Sequence, residues 1–388
     1  MTSSPKSAPL TNWQQLQLAY KCQNMTFTAN FSGDHIDDEQ FIAAVATAMR
    51  CCAALSSAVA LHSTESGKTA HNAAIIENAI SNLCISGDEN EKARDTQLFA
   101  ISIVRKAPNR LTLHLTASPL VWDIASYHNF MLCLDEAYAG EPLYPESFTF
   151  IDHAIAEEAL RSSAEQRAQQ LLCSRALTPF ATQCSGSKMS VKETTINVSA
   201  EQMEQCCHTA AVSAEQLTAA IFAMCVAQAD ETPDVAFTML HNQRLDNPAA
   251  AYTTGPLMPE QPLVAHCAPK TAWQHVAATL SPLPAYAYAQ FVRSTSTRLT
   301  RTVAYLGNML CHPATCGATV AESIDFHIAP MADFGLSVYQ NAHGGHTLRA
   351  EYRSTAFSEQ QVSAFMQHYK HLLTQAVTPT TCPSITKK

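Results

Sequence analysis

Apolar positions in the first half of the chain recur with two spacings, which predicts strands mixed with helices. Leu111, Leu113 and Leu115 alternate with polar residues, the two-residue period of a strand with one buried face. A short turn containing Pro108 separates this strand from an earlier one and predicts a hairpin. The predicted strands cover residues 25–31, 98–104 and 111–116. Spacings of three and four residues predict helices over residues 13–20, 36–52 and 124–140.

The second half repeats this plan in outline. A region rich in Ala, Glu, Gln and Arg predicts a helix over 150–177, and residues 178–188 resemble a connector. Predicted strands then cover 193–198, 234–240, 334–339 and 347–352, and predicted helices cover 214–229 and 358–376. Two similar halves of this kind predict an α/β or α+β protein with lobes at residues 1–177 and 178–388.

Composition and charge exclude several classes of protein. The 388 residues are 47% hydrophobic and 15% charged, which is too apolar for a disordered chain. A net charge of -9 argues against nucleic acid as a partner, because phosphate binding needs clustered Lys and Arg. No signal-like start and no run of about 18 apolar residues is present, so we expect a cytoplasmic protein without a membrane span.

The 14 cysteines do not predict a metal site. Residues 206–208 and 311–316 each group cysteine with histidine. Neither group has the paired Cys-x2-Cys spacing that closes a tetrahedral zinc site. We therefore expect reduced cysteines and no bound metal.

Five segments in a fixed order carry a family resemblance. They are residues 9–16, 41–61, 111–140, 241–263 and 333–376. In order and spacing they resemble the condensation domains of nonribosomal peptide synthetases, within the chloramphenicol acetyltransferase-like superfamily. The resemblance covers nearly the whole chain. It implies a V-shaped pair of mixed-sheet and helix lobes with a tunnel between them.

The departure from the family lies in its His-His-x-x-x-Asp-Gly motif, which falls on Ser118-Pro-Leu-Val-Trp-Asp-Ile124. We call residues 118–124 the motif loop. The family uses the second histidine as a base or to orient the tetrahedral intermediate. Pro119 stands there and has neither a titratable nitrogen nor a donor. Ile124 replaces the glycine, and the family's Leu-Arg pair reads Leu55-Ser56.

Asp123 is retained, and so is Arg244. The resemblance implies that these two residues form an ion pair that holds the motif loop against the second lobe. The alternative is that Asp123 merely caps the helix that follows it.

Other residues are candidates for the missing chemistry. The catalytic candidates are Ser118, Ser126 and His128. His128 lies about one helical turn after Ile124, but no Gly-x-Ser-x-Gly turn presents either serine as a nucleophile. Trp122 either fills the substrate pocket or stacks on a ligand.

Three further residues are candidates for the tunnel lining: His114, Asn308 and His312. About 16 Å of extended chain separates His114 from Pro119, so a histidine satisfied within the sheet is the alternative for it. Asn308 ends a segment that resembles the family's channel strand, and His312 follows closely.

Three functions remain open at this stage. The first is a noncanonical condensation-like enzyme of natural-product biosynthesis. It would act on a small-molecule acyl or peptidyl substrate carried by the phosphopantetheine arm of a carrier protein or by CoA, with no bound cofactor. The second is a catalytically inactive scaffold that binds a carrier protein or recruits a tailoring enzyme. The third is a small-molecule binding protein. Arg161, Arg167 and Arg175 either dock an acidic carrier protein or form a solvated helix face.

Overall fold

The computed structural model describes residues 8–20, 22–57, 72–87, 98–163, 165–166, 170, 181–183, 189–328 and 331–378. The helices of this part are α1 Asn12–Ala19, α2 Asp38–Cys51, α3 Asn72–Ser81, α4 Ile124–Tyr138, α5 Phe150–Ala159, α6 Ala200–Ala210, α7 Ala214–Ala229, α8 Trp273–Thr279, α9 Ala285–Thr295 and α10 Glu359–Val377. The strands are β1 Met25–Ser32, β2 Ile85–Ser86, β3 Phe99–Ala107, β4 Arg110–Ala117, β5 Ala181–Gln183, β6 Met189–Ile196, β7 Asp234–Leu240, β8 Glu260–His266, β9 Ser281–Pro282, β10 Thr297–Leu299, β11 Arg301–Gly307, β12 Ala314–Thr315, β13 Ala318–Asp325, β14 Phe334–Gln340 and β15 His346–Arg353.

The first sheet has the strand order β12-β13-β1-β4-β3-β2. β1 and β4 pair antiparallel, and the alternating side chains of Phe27 and Leu113 on these strands are buried. Helices α2 and α4 supply the other wall of this core, for example with Phe41 and Phe130. The two-residue period of the strands and the apolar stripe of α2 thus place apolar residues on one face of each element, and this face is buried in the core.

The second sheet is larger and mixed, with the order β6-β15-β14-β11-β7-β8-β9. β11 runs parallel to both β14 and β7, while the outer pairs are antiparallel. Helices α7 and α10 pack on this sheet through a second core that includes Phe222 and Tyr369. Each sheet therefore has its own helix-covered core, which is the predicted two-lobed arrangement.

The chain crosses between the lobes after residue 307. β13 leaves the second lobe and pairs antiparallel with β1, from Thr26↔Asp325 to Ser32↔Thr319. Residue 177, the predicted boundary, lies outside the described residues, and the division at that point stays a prediction. The sheet shows that residues 314–325 complete the first lobe although they follow the boundary.

Long periodic elements agree with the sequence predictions. The strand over 234–240 and the helices at 124–138 and 214–229 lie where they were expected. In the region expected as a helix over 150–177, helix α5 ends at Ala159. The sequence analysis assigned no element to α8, α9, β12 or β13.

No single described helix has the length and apolar character needed to cross a membrane. Helices α6 and α7 have the required length and apolar character only when they are counted together, and the chain bends by 88° between them.

Candidate functional site

The motif loop joins the end of β4 to the start of α4. The N–H of Val121 donates to the carbonyl of Ser118 at 3.0 Å, which closes a β-turn with Pro119 at its second position. Proline favours this position because its φ is already set. Asp123 then begins α4 as its N-cap, with Oδ1 accepting from the backbone N–H of Ser126 at 2.7 Å.

Asp123 also forms a two-point ion pair with Arg244. Nη1 donates to Oδ2 at 2.9 Å and Nη2 donates to Oδ1 at 3.1 Å. The backbone N–H of Leu257 donates to Oδ2 at 2.8 Å, and Nε of Arg244 donates to the carbonyl of Thr253 at 2.7 Å. Both side chains are nearly buried, so the pair ties the motif loop to the second lobe. The two roles weighed for Asp123 are therefore combined in one carboxylate.

Ser126 belongs to the same network and is fully buried. Its hydroxyl lies 2.7 Å from Oδ1 of Asp123 and accepts from the backbone N–H of Gly255 at 2.8 Å. Gly255 has φ +140°, and a Cβ there would lie 2.4 Å from Cβ of Phe150, so this close approach needs glycine. The Ser126 hydroxyl is thus engaged in holding the lobes together, which argues against its role as a nucleophile.

Helix α1 fixes the other end of the motif loop. Nε2 of Gln14 donates to the carbonyl of Leu120 at 2.6 Å. Gln17, with its amide oriented to satisfy both neighbours, donates to the carbonyl of Pro119 at 2.8 Å and accepts from Nε1 of Trp13 at 3.0 Å. Sequence analysis missed both glutamines. The capping box of α1, which includes Gln14, was the local signal available for one of them.

Ser118 has no catalytic partner in the part of the chain that the structure describes. Its hydroxyl accepts from the backbone N–H of Leu120 at 3.3 Å, and no described histidine or carboxylate hydrogen-bonds to it. The side chain is 7% exposed. A serine nucleophile needs a base within hydrogen-bond reach, so the geometry does not activate Ser118.

Trp122 and Ile124 are buried in the core beside the motif loop, and we call this arrangement the closed motif loop. They are 1% and 4% exposed, and they belong to a core that also contains Leu257 and Leu306 of the second half. The indole ring lies edge-on to Phe130, with 6.4 Å between the ring centroids. Its N–H has no hydrogen-bond partner among the described residues. Trp122 thus fills the space beside the loop as packing.

Two cavities of the described chain lie away from the motif loop. One, of about 130 Å³, is lined by residues of α1, α9 and the segment after α5, including Arg161 and Arg293. A smaller neighbour shares Asn12 and Arg161 with it. The motif loop lines neither of them. Arg167 and Arg175, for which docking and a solvated helix face were the two alternatives, lie outside the described residues.

The structure brings His128 and His312 together. Nδ1 of His128 lies 2.7 Å from Nε2 of His312, whose Nδ1 lies 2.8 Å from Oε1 of Glu322. The hydroxyl of Tyr127 also donates to Oε1 of Glu322 at 2.7 Å, and the backbone N–H of His312 donates to Oε2 at 2.7 Å. Sequence analysis missed Glu322, because it lies on β13, to which no strand was assigned.

Burial and hydrogen bonding shift the pKa values in this cluster. Burial, and then the neighbouring His312, lower the pKa of His128 to about 4. Burial would raise the pKa of Glu322, but the hydrogen bond and charge of His312 outweigh it and leave that pKa below its ordinary value. Burial raises the pKa of Tyr127 well above its usual range. Glu322 is therefore the ionised group of the cluster, while Tyr127 and His128 are neutral at neutral pH.

The remaining tunnel candidates do not join this cluster. Nδ1 of His114 hydrogen-bonds with the hydroxyl of Thr28 at 3.0 Å, so this histidine is satisfied within the sheet. Burial, and then Lys106, lower its pKa. Asn308 is exposed in the turn after β11, where its carbonyl accepts from the N–H of Cys311 at 2.9 Å.

A metal site is not evident in the described residues. No three His, Cys, Asp or Glu side chains among them are grouped so that they could hold an ion. In the two cysteine-containing segments, Cys207 and Cys316 are buried, and Sγ of Cys206 lies 3.3 Å from the carbonyl of Ala376.

Solved structures share this architecture over nearly the whole chain. The X-domain from teicoplanin biosynthesis aligns with 97% of this chain and 96% of its own, at TM-score 0.62 and 14% identity. The first condensation domain of the calcium-dependent antibiotic synthetase aligns over 96% and 97%, at TM-score 0.67 and 12% identity. The epimerization domain from the third module of tyrocidine synthetase B aligns over 96% and 99%, at TM-score 0.67 and 14% identity.

No family model matches the chain, and no curated protein matches it. The structural neighbours confirm the predicted fold. The chain has a two-lobed α/β fold like that of condensation domains.

Proposed function

We propose that the chain is a cytoplasmic condensation-like protein of natural-product biosynthesis that binds a partner protein and carries out no condensation at its motif loop. The observation that carries this proposal is the closed motif loop. Its side chains are buried, its carbonyls are held by α1, and Trp122 occupies the adjacent space.

The chemistry of the loop supports the same conclusion. A general base must present a titratable atom within about 3 Å of the proton that it removes. Pro119 has no such atom, and the hydroxyl of Ser118 has only a backbone partner. Asp123 is the one acid of the loop, and both its oxygens face Arg244. No group of the loop is left to activate an acceptor amine.

Two segments of the surface offer a face for a partner. They are residues 139–147, after α4, and residues 245–254. Nδ2 of Asn129 on α4 donates to the carbonyl of Ala251 at 3.3 Å, and Oε1 of Glu146 accepts from the N–H of Thr254 at 3.0 Å. The segments therefore pack side by side around α4. Three of their side chains are large and exposed: Tyr144 at 80%, Leu245 at 66% and Tyr252 at 74%.

The charged side chains of these two segments are all acidic. The segments contain Glu141, Glu146 and Asp246 and no Lys or Arg, and Glu141 and Asp246 are exposed. Arg244, which precedes the second segment, is buried against Asp123. Complementary charge favours a partner with a basic surface here, and opposes an acidic carrier protein. A solved structure of the teicoplanin X-domain, which shares this fold, is a complex with OxyB. A tailoring enzyme is therefore the partner that we favour.

A noncanonical enzyme is the second candidate, and the contacts of His128 favour it. Of the three catalytic candidates, His128 is the one with a histidine and a buried carboxylate arranged behind it. Under this alternative the substrate would be an acyl or peptidyl chain on the phosphopantetheine arm of a carrier protein or on CoA.

The partner is identified by mixing the purified chain with each tailoring enzyme and each acyl-loaded carrier protein encoded near its gene. Native mass spectrometry should show a complex with a tailoring enzyme and an unchanged mass of the loaded carrier. Leu245→Ser combined with Tyr252→Ser should weaken that complex at least tenfold, because exposed aromatic and aliphatic anchors dominate interface energies. Val191→Ser is the matched control, since Val191 is 44% exposed on the second sheet. Equal effects of both changes, or binding of carrier proteins alone, would contradict the proposed face.

A further inference from the structure

Glu322, His312 and His128 form a continuous hydrogen-bonded series that the closed motif loop does not use. The carboxylate of Glu322 is buried on β13, His312 lies in the segment between β11 and β12, and His128 lies on the second turn of α4. The Glu322–His312 contact is 2.8 Å and the His312–His128 contact is 2.7 Å. These distances are those of strong hydrogen bonds.

The ionised carboxylate determines where the ring protons lie. A carboxylate can only accept, so Nδ1 of His312 carries a proton and donates it to Glu322. Whenever the ring of His312 is neutral, its Nε2 has a lone pair. That lone pair accepts a hydrogen bond from Nδ1 of His128, which must carry the proton of the second ring. The remaining nitrogen, Nε2 of His128, therefore has a lone pair.

This last nitrogen reaches the surface. His128 is half-buried, no described residue hydrogen-bonds to its Nε2, and this atom is not among the buried polar atoms that lack a partner. The other atoms of the series are shielded, because Glu322 and His312 are only 4% and 6% exposed at their side chains. A lone pair backed by a buried carboxylate thus faces water at one point.

We infer that His128 is the accessible base of a proton relay, and that its Nε2 accepts a proton from a protic nucleophile such as water, an alcohol or an amine. His312 and Glu322 act through it as positioning residues. The inference goes beyond partner binding and does not depend on it.

The proton balance of the relay is simple. As a nucleophile attacks an acyl carbon, its proton moves to Nε2 of His128, while the Nδ1 proton of His128 moves to Nε2 of His312. The positive charge then rests on His312 beside the Glu322 carboxylate, and His128 stays neutral. When the leaving group departs, the relay returns its proton to that group or to water. A lone His128 would have to hold the charge itself, which its partly buried position disfavours.

The tautomers provide a test that requires no substrate. Free histidine favours a proton on Nε2, whereas the relay requires both His128 and His312 to carry theirs on Nδ1. Long-range ¹H–¹⁵N NMR of the ¹⁵N-labelled chain at neutral pH should show both rings in the Nδ1–H form. Glu322→Gln should change the nitrogen shifts of both rings, although residue 322 contacts only the ring of His312 and not that of His128. A proton on Nε2 of His128 in the unmodified chain would overturn the inference.

Reactivity is measured with p-nitrophenyl acetate, whose hydrolysis by water needs a base and releases p-nitrophenolate. His128→Gln should lower the rate catalysed by the chain about tenfold or more, and Glu322→Gln should lower it similarly. His275→Gln, at an exposed histidine of α8, is the matched control and should leave the rate unchanged. The part of the rate that depends on His128 should fall at low pH with one inflection, since the two rings share the first proton. An unchanged rate in His128→Gln would overturn the inference. Loss of partner binding would alter neither result.

Discussion

Asp123 both caps helix α4 and pairs with Arg244 across the lobes. The cap needs an acceptor oxygen, whereas the ion pair needs a charge. Oδ1 accepts hydrogen bonds from Ser126 and Arg244, and Oδ2 accepts hydrogen bonds from Arg244 and Leu257. An uncharged residue of the same shape can therefore separate the two roles.

Asp123→Asn keeps an acceptor for the cap and removes the charge. We expect the free energy of unfolding to fall by about 3–5 kcal/mol, because a buried Arg244 is left without its counter-ion. Urea denaturation measures the change. Glu158→Gln is the control, since it removes an exposed pair with Arg161 and should cost less than about 1 kcal/mol. A cost of about 1 kcal/mol or less in Asp123→Asn would mean that the residue acts as a cap alone.

Glu260 should make stability depend on pH. Burial raises its pKa from 4.5 to about 7, although the charge of Arg298 opposes the shift. The folded state therefore holds this proton more tightly than the unfolded state. The stabilisation is complete below the ordinary pKa, is lost as pH rises from about 4.5 to about 7, and is absent above that.

Glu260→Gln should remove this loss and make the chain more stable than the original at pH 8. The difference expected between pH 4.5 and pH 8 is about 3 kcal/mol, at about 1.4 kcal/mol for each tenfold change in proton affinity. Thermal or urea unfolding at several pH values measures it, with the exposed Glu141→Gln as control. If both variants follow the same pH curve as the original chain, Glu260 is not the buried acid that we describe.

At the scale of elements, α1 controls the motif loop. The helix begins with a capping box of Thr11 and Gln14, and the amide nitrogen of the same Gln14 holds the carbonyl of Leu120. Its other face packs on α9 through Leu16. The motif loop is thus clamped between its own helix α4 and a helix from the start of the chain.

Gln14→Glu keeps the acceptor that the capping box needs but replaces the donor to Leu120 with a second oxygen. We expect a loss of about 1–3 kcal/mol and faster hydrogen exchange at the amides of residues 118–124, because the buried carbonyl loses its partner. Mass spectrometry after deuterium exchange measures the effect. Gln15→Glu, whose side chain contacts Arg293 instead of the loop, should leave those amides unchanged. Equal protection in both variants would show that α1 does not hold the loop.

Local patterns predicted the elements that bury a regular face. Helix α10 is one example, because its apolar stripe packs on a core. Strand β7 is another, because most of its residues are buried. β13 was not predicted because the second half of the strand is mostly polar and includes Glu322, Ser323 and Asp325. Its place in the first sheet comes from pairing with β1, nearly 300 positions earlier, which no local period encodes.

Some features of the candidate site could likewise be predicted from the sequence, whereas others depend on contacts between distant residues. The family resemblance pointed to the motif loop, to Asp123 and to Arg244, and the loss of histidine was visible in the residues themselves. The clamp of Gln14 on Leu120 joins residues 106 positions apart, and the His128–His312 contact spans 184. Such contacts follow from the packing of the lobes, so the sequence alone did not reveal the closed loop or the relay.

At the scale of the whole molecule, the two lobes are not independent, because β12 and β13 follow the second-lobe strand β11 but belong to the first sheet. β13 covers the edge of β1, and its Val320 is buried in the first core. Without residues 314–325, β1 would be an open edge beside exposed apolar side chains.

A fragment of residues 1–177 should therefore fail to fold on its own. We expect no cooperative thermal transition by circular dichroism, whereas the full chain should show one. A fragment that carries residues 314–325 on a Gly/Ser linker after residue 177 is the matched control and should recover part of the cooperativity. A cooperatively folded 1–177 fragment would establish the predicted boundary and contradict the role that we give to β13.

The closed motif loop is the central claim for the molecule as a whole. The most direct measurement is a single-turnover assay with an acyl-loaded carrier protein and an amine acceptor, followed by intact mass spectrometry, using the original chain and Ser118→Ala. We predict no acyl transfer that depends on residue 118, so the carrier mass should follow the same time course with both proteins. Transfer or release that the original chain performs and Ser118→Ala abolishes would contradict the account.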